Sequence, residues 1–170
     1  MAQVTDHKKT EDSKTGDILL EPPKLTPISI LNSSICFGSK EHSVNDTEEF
    51  RKFKFGAVIN CQDEFVNPSS ATYDVYNFDV EDTAQGGSLM EHIDEIMKTI
   101  DSNLRQKKLM YIQCNSGDSV SPAILIYLLM VKKDMSLERA YKNVKRSRPT
   151  IDINSYILSE LITLDEWSKY

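Results

Sequence analysis

The run Tyr111-Ile112-Gln113-Cys114-Asn115-Ser116-Gly117-Asp118-Ser119-Val120-Ser121-Pro122 constrains this chain more than any other segment. It starts as an apolar strand, passes through a loop of small residues and enters a helix whose first turn tolerates Pro122, because an N–H there has no intrahelical partner. A strand that hands such a loop to a helix start forms a bowl. Backbone N–H groups and the positive end of the helix point into it and favour an anion. Cys114 lies at the bottom, where the same field favours a thiolate and makes it a nucleophile.

The flanking pattern predicts an α/β domain. Ile28, Ile30 and Leu31, then Ile35, Cys36 and Phe37, read as an edge hairpin around Asn32-Ser33-Ser34. Asp46 or Thr47 caps a short helix carrying Phe50 and Phe53, which Gly56 ends. Residues 57–61, 73–80 and 109–113 read as further strands. In residues 88–106, Leu89, Ile93, Ile96, Met97, Ile100 and Leu104 recur at helical spacing. The helix from Pro122 to Lys133 is apolar nearly all round, which predicts a central position. Ser136 caps a helix carrying Leu137, Ala140, Tyr141 and Val144, and Pro149 stops it. Asn154 starts a last helix through Ile157, Leu158, Leu161, Leu164 and Trp167. Strands alternating with helices, then helices alone, give helices packed on a central sheet.

Length and composition set bounds. A chain of 170 residues with 39% hydrophobic content supports one ordinary core. Residues 1–24, rich in Lys, Asp, Thr and Ser and running to Pro22-Pro23, predict a disordered tail, which leaves one domain over residues 25–170. The formal net charge of -6 argues against nucleic acid as a partner. Cys36, Cys61 and Cys114 form no Cys-x-x-Cys pair, so neither a disulfide framework nor a metal site is expected, and no cofactor is implied. The N-terminus has no apolar signal core, and the longest apolar run, residues 123–131, is too short for a bilayer. A monomer in the cytoplasm or nucleus is expected. His42 and His92 lack a partner at useful spacing and read as surface histidines, and His7 lies in the tail.

The cradle residues resemble the cysteine-dependent protein phosphatases, in particular the small dual-specificity branch. That signature is His-Cys, five residues of which the third is usually Gly and the fifth often Ser, then Arg and Ser or Thr. Cys114, Gly117, Ser119 and Ser121 match it, whereas Gln113 stands at the histidine and Val120 at the arginine. The resemblance implies a dual-specificity-phosphatase-like central sheet with helices packed on it. It makes Cys114 the nucleophile position and Ser121 the hydroxyl that assists the departing thiolate. Asn115, Ser116, Gly117, Asp118, Ser119 and Val120 become the phosphate-binding loop. Asp82, 32 residues before Cys114, matches the general acid, and Asn154 matches the Pro-Asn start of the terminal helix with Ile153 in place of the proline. The likeness spans roughly residues 28–167.

The departures bear on activity. Phosphoryl transfer is mostly positioning and charge stabilisation, and an arginine in this role supplies two parallel donors, an effect of about 10³- to 10⁵-fold for comparable arginine fingers. Val120 supplies neither charge nor donor, Gln113 holds no positive charge beside Cys114, and Asp118 is expected to add a negative charge to the bowl. Lys132 and Lys133 lie roughly 15 Å along the following helix, at about 1.5 Å per residue, too far to substitute. Arg139, Lys142, Lys145, Arg146 and Arg148 read as a solvated helix face, with Arg146 or Arg148 as the alternative for approaching a ligand from the side. The expected function is that of a catalytically impaired pseudophosphatase, a binding or scaffold module in protein phosphorylation signalling. The alternative is a weakly active or unusually specific tyrosine/serine/threonine phosphatase using Cys114 and Asp82. The expected partner is a phosphorylated protein or a protein kinase, a MAP kinase among them, toward which Lys14 with Ile18-Leu19-Leu20, and Thr26-Pro27, offer docking and phosphorylation patterns.

Overall fold

Alternation along the strands assigns each residue to one of two faces of a sheet, and both faces are covered. In the computed structural model, which describes residues 24–64 and 72–170, β1 (Ser29–Ile30), β2 (Ile35–Ser39), β3 (Ala57–Cys61), β4 (Asp74–Phe78) and β5 (Met110–Cys114) form one sheet of order β1-β2-β5-β3-β4. β1 pairs antiparallel with β2, and the remaining pairings are parallel, in a register that sets Gly38 and Asn60 on either side of Gln113. Ile35, Phe37, Ala57, Ile59, Met110 and Ile112 point to one side. There they pack with α3 (Leu89–Arg105), α4 (Val120–Lys133), α5 (Leu137–Ser147) and α6 (Ser155–Trp167). Cys36, Val58 and Tyr111 point to the other, against Phe50 and Phe55 around α2 (Glu48–Phe53).

The α/β architecture with helices on a central sheet is therefore as expected, with local differences that have clear causes. The hairpin splits its roles: β1 is the edge strand, while β2 is interior and pairs with β5. A one-turn helix, α1 (Glu41–Val44), intervenes before α2 and is too short for helical periodicity to show. Thr47 is the cap of α2 and accepts from Phe50 N, but the helix ends at Lys54, whose left-handed backbone does the work expected of Gly56. α4 starts at Val120, two residues ahead of Pro122, and ten of its residues are buried. Trp167 closes α6 but is exposed. The expected tail, with Lys14 and Ile18-Leu19-Leu20, lies outside the described residues apart from Lys24, which is exposed.

His42 is not at the surface. It is 2% exposed, its Nε2 is 2.9 Å from Thr26 O and its Nδ1 3.1 Å from Thr47 Oγ1, so it fastens the segment leading into β1 to the α1–α2 corner. His92 is half-buried, with its ring near Phe78. Among the described residues, no helix is long and apolar enough to cross a membrane, and no group of three or more His, Cys, Asp or Glu could hold a metal ion.

Candidate active site

The site sits where the parallel strands β3 and β5 end side by side. Residues 115–119 link β5 to α4, and five contacts with neighbouring elements fix their course. Lys40 N donates to Cys114 O (2.9 Å) and Ser39 Oγ to Asn115 O (2.9 Å), which ties the loop to the end of β2. Asn154 N donates to Ser119 Oγ (3.0 Å) while Asn154 caps α6, and Asp152 N donates to Asp118 O (2.9 Å). Gly117, at φ +80, fits against β2 so closely that a Cβ there would lie 2.3 Å from Gly38 C. Among the described residues, the backbone N–H groups of Asn115, Ser116, Gly117, Ser119 and Val120 meet no protein acceptor, which leaves them for an anion. The Asp118 N–H is committed to Ser116 Oγ (3.1 Å).

A cleft of about 340 Å³ opens above the loop. Cys114, Asn115, Ser116, Ser119 and Val120 form one wall, Cys61, Gln62 and Asp63 continue β3 into the second, and Val80, Glu81 and Asp82 complete it. The thiol and the carboxylate singled out by sequence are thus brought to one cleft. Cys114 is 3% exposed, and its Sγ donates to Ser121 Oγ at 3.3 Å. Asp82 is exposed on a loop that Glu81 N closes by donating to Gly87 O (2.9 Å). Gly86 N donates to Thr83 O (3.4 Å), so the two glycines form a turn; Gly87 passes so close to Asp79 O that a Cβ would overlap it. The loop's far end is anchored by the buried Glu160 of α6, which accepts from Ser88 Oγ and from Leu89 N (3.2 Å).

Asp118 contradicts the expectation that it adds charge to the bowl. Its carboxylate turns away and accepts from Arg148 Nε (2.7 Å) and Thr150 Oγ1 (2.9 Å). Gly117 and Asp118 do not line the cleft, and Ser121 lies buried behind Cys114. Arg148 is equally far from a solvated helix face: it is 1% exposed. Its Nη1 donates to Pro27 O (3.0 Å) and Ser29 Oγ (3.3 Å), and its Nη2 to Ser116 O (3.2 Å). It braces the loop from beneath and reaches no further. Helical periodicity put it with the polar residues of α5, and no local signal paired it with Asp118 across thirty positions. Lys132 is committed to Asp101.

Gln113 lies on the sheet face opposite the Cys114 thiol, as strand alternation requires. It accepts from Ser43 Oγ (2.6 Å) and donates to Asn60 Oδ1 (3.1 Å), and Asn60 donates onward to Asn77 Oδ1 (2.9 Å). The histidine position is therefore part of a neutral, buried amide ladder across three strands. Burial and then the neighbouring Cys114 thiol push Cys61 well above its ordinary value, which keeps it protonated.

A β-strand, a loop carrying a thiol, a helix start and a carboxylate on a facing loop define the cysteine-dependent phosphatase class. The chain belongs to the dual specificity phosphatase family, whose catalytic domain matches residues 35–166. It is 28% identical over 139 residues to the protein-tyrosine-phosphatase IBR5 of Arabidopsis thaliana, covering 79% of this chain and 49% of that protein. To the dual specificity protein phosphatase 19 of Mus musculus it is 25% identical over 139 residues, covering 80% of this chain and 61% of that one. The chain thus spans about half to three fifths of these relatives. Among solved structures, human DUSP28 superposes with a TM-score of 0.75 at 20% identity, over 88% of this chain and 100% of that chain. The human tyrosine phosphatase-like serine/threonine/tyrosine-interacting protein does so with 0.74 at 17% identity, over 85% and 99%. Both likenesses show the fold.

Proposed function

We propose that this chain is a catalytically impaired member of its family that serves as a binding or scaffold module in protein phosphorylation signalling, with a phosphorylated protein or a protein kinase as partner. One observation carries this reading: Val120, 5% exposed, occupies the cleft wall where a guanidinium would grip the phosphoryl oxygens, and among the described residues no Lys or Arg lines that cleft. Arg148, bonded to the loop from beneath, has all three of its nitrogens committed to Asp118, Pro27, Ser29 and the Ser116 carbonyl.

A weakly active enzyme is the second reading, favoured by the Cys114–Ser121 contact and by Asp82 in the same cleft. In it, Cys114 attacks phosphorus and Asp82 protonates the leaving oxygen. Water then cleaves the cysteinyl-phosphate with Asp82 as base and Ser121 donating toward the departing sulfur. Release of phosphate from an aryl phosphate, measured side by side for the unmodified chain, Cys114→Ser and Val120→Arg, decides between them. The proposal expects the unmodified chain to match Cys114→Ser and Val120→Arg to exceed both, short of full restoration because Gln113 supplies no charge. Rapid turnover by the unmodified chain that vanishes in Cys114→Ser overturns it.

A further inference from the structure

The cleft is unusual in the sign of the side chains around it. Asp63, Glu81 and Asp82 all line it, none has a cationic partner among the described residues, and the nearby Lys40 is spent on Glu64 at 2.5 Å. Gln62, also in the lining, is 4% exposed, and its Oε1 is sealed from solvent without a donor among the described residues. The three carboxylates call for donors and positive charge. Yet the floor of the same cleft consists of unpartnered N–H groups at the start of α4, which call for an anion.

The charges show what must reconcile the two. A helix start contributes roughly +0.5 of an elementary charge, whereas a phosphoryl group brings about −1.5 to −2. With Val120 at the arginine position, the described residues of the cleft offer the phosphate no full positive charge and three negative ones. A phosphorylated segment rich in Asp or Glu, or neutral around its phosphate, is repelled. One that carries Lys or Arg beside the phosphorylated residue supplies the missing cation itself. It places that cation against carboxylates which lack one.

We propose that the cleft selects a phosphorylated protein segment whose phosphoresidue is flanked by Lys or Arg, the phosphate resting on the free amides of Asn115, Ser116, Gly117, Ser119 and Val120 and the basic side chains on Asp63 and Glu81. This rests on the reading of the chain as a binding module, and it adds which segment the module takes.

The test is a titration of the whole chain with three labelled peptides, followed by fluorescence polarisation: a phosphotyrosyl peptide flanked by Arg and Lys, the same peptide flanked by Asp and Glu, and the basic peptide without phosphate. Two partly exposed ion pairs are expected to make the first bind about tenfold tighter than the second. That margin shrinks with added salt, and it falls to about twofold in the double variant Asp63→Asn, Glu81→Gln. The basic peptide without phosphate is expected to bind more weakly than its phosphorylated form. Equal or tighter binding of the acidic peptide overturns the proposal. So does equal binding of the basic peptide with and without phosphate, or no binding of any. Inorganic phosphate is measured in the same samples: its release at a Cys114-dependent rate overturns the binding-module reading instead, so the two failures are distinguishable. Should the double variant not fold, the salt dependence of the unmodified chain decides alone.

Discussion

Replacing Arg148 by Ala tests whether a buried guanidinium, rather than a bound anion, holds the loop in shape. Arg148 is 1% exposed and its side chain makes four hydrogen bonds: one to Asp118, two to the start of the sheet at Pro27 O and Ser29 Oγ, and one to Ser116 O within the loop. A hydrogen bond from a charged group contributes about 1.5–3 kcal/mol when its loss strands a buried partner. The stranded groups here are not equivalent. Asp118 keeps 29% of its side chain in solvent and the Thr150 hydroxyl, so it rehydrates; the carbonyl acceptors do so less readily. Summing with that discount gives a loss of about 3–4 kcal/mol for Arg148→Ala, in the range found when one member of a buried pair is removed. A chain of this size then melts roughly 10 °C lower. Asp118→Asn retains an acceptor for Nε and is expected to cost only about 1 kcal/mol. Urea unfolding followed by far-ultraviolet circular dichroism reads both. If Arg148→Ala costs less than about 1 kcal/mol, or less than Asp118→Asn, Arg148 does not brace the loop.

Gly117→Ala combines a φ of +80 with a Cβ 2.3 Å from the Gly38 backbone, so it is expected to lose more than the about 1–3 kcal/mol of left-handed strain alone and to abolish phosphopeptide binding; wild-type urea stability in this variant refutes the tight fit. Burial pushes the Cys36 thiol up to about 11 from 9.0. Both folded and unfolded states hold the proton below pH 9. Between 9 and about 11 only the folded state does, so the stabilisation it gives is complete below 9 and is lost as pH rises through about 11, with a slope of up to about 1.4 kcal/mol per unit. Urea titrations across that window are expected to show the decline and Cys36→Val to reduce its slope, the part contributed by the buried Cys61 thiol remaining; identical slopes would refute the assignment.

Local patterns made the strands and the long helices legible. Leu89 to Leu104 advertise one buried stripe, and Ser136 and Asn154 advertise helix starts, because periodicity and capping act over a few residues. The Cys114 loop and Asp82 were legible through their resemblance to a family signature, and they do meet in one cleft. What the sequence hid is long-range pairing of polar groups. Arg148 looks like one more cation on a basic helix and Asp118 like a carboxylate aimed at the anion, until α5 delivers the first beneath the second. His42 and Gln113 were hidden for the same reason: their partners, Thr26, Thr47, Ser43 and Asn60, come from segments that only the sheet brings together.

Shape and charge in this loop are held by different residues. Shape comes from Arg148 below, Gly117 against Gly38, Lys40 and Ser39 at the strand end, and Asn154 at the far side, none of which needs a bound phosphate. Charge would come from position 120 alone. Val120 instead packs into the main core, where burying a side chain of this kind stabilises the fold by about 1.5–3 kcal/mol. Val120→Arg therefore exchanges core packing for a cation on the cleft wall: phosphate hydrolysis should rise while urea stability falls. An arginine here that lowered stability without raising turnover would place the block to catalysis in Gln113 and the acidic cleft walls, rather than in the missing guanidinium.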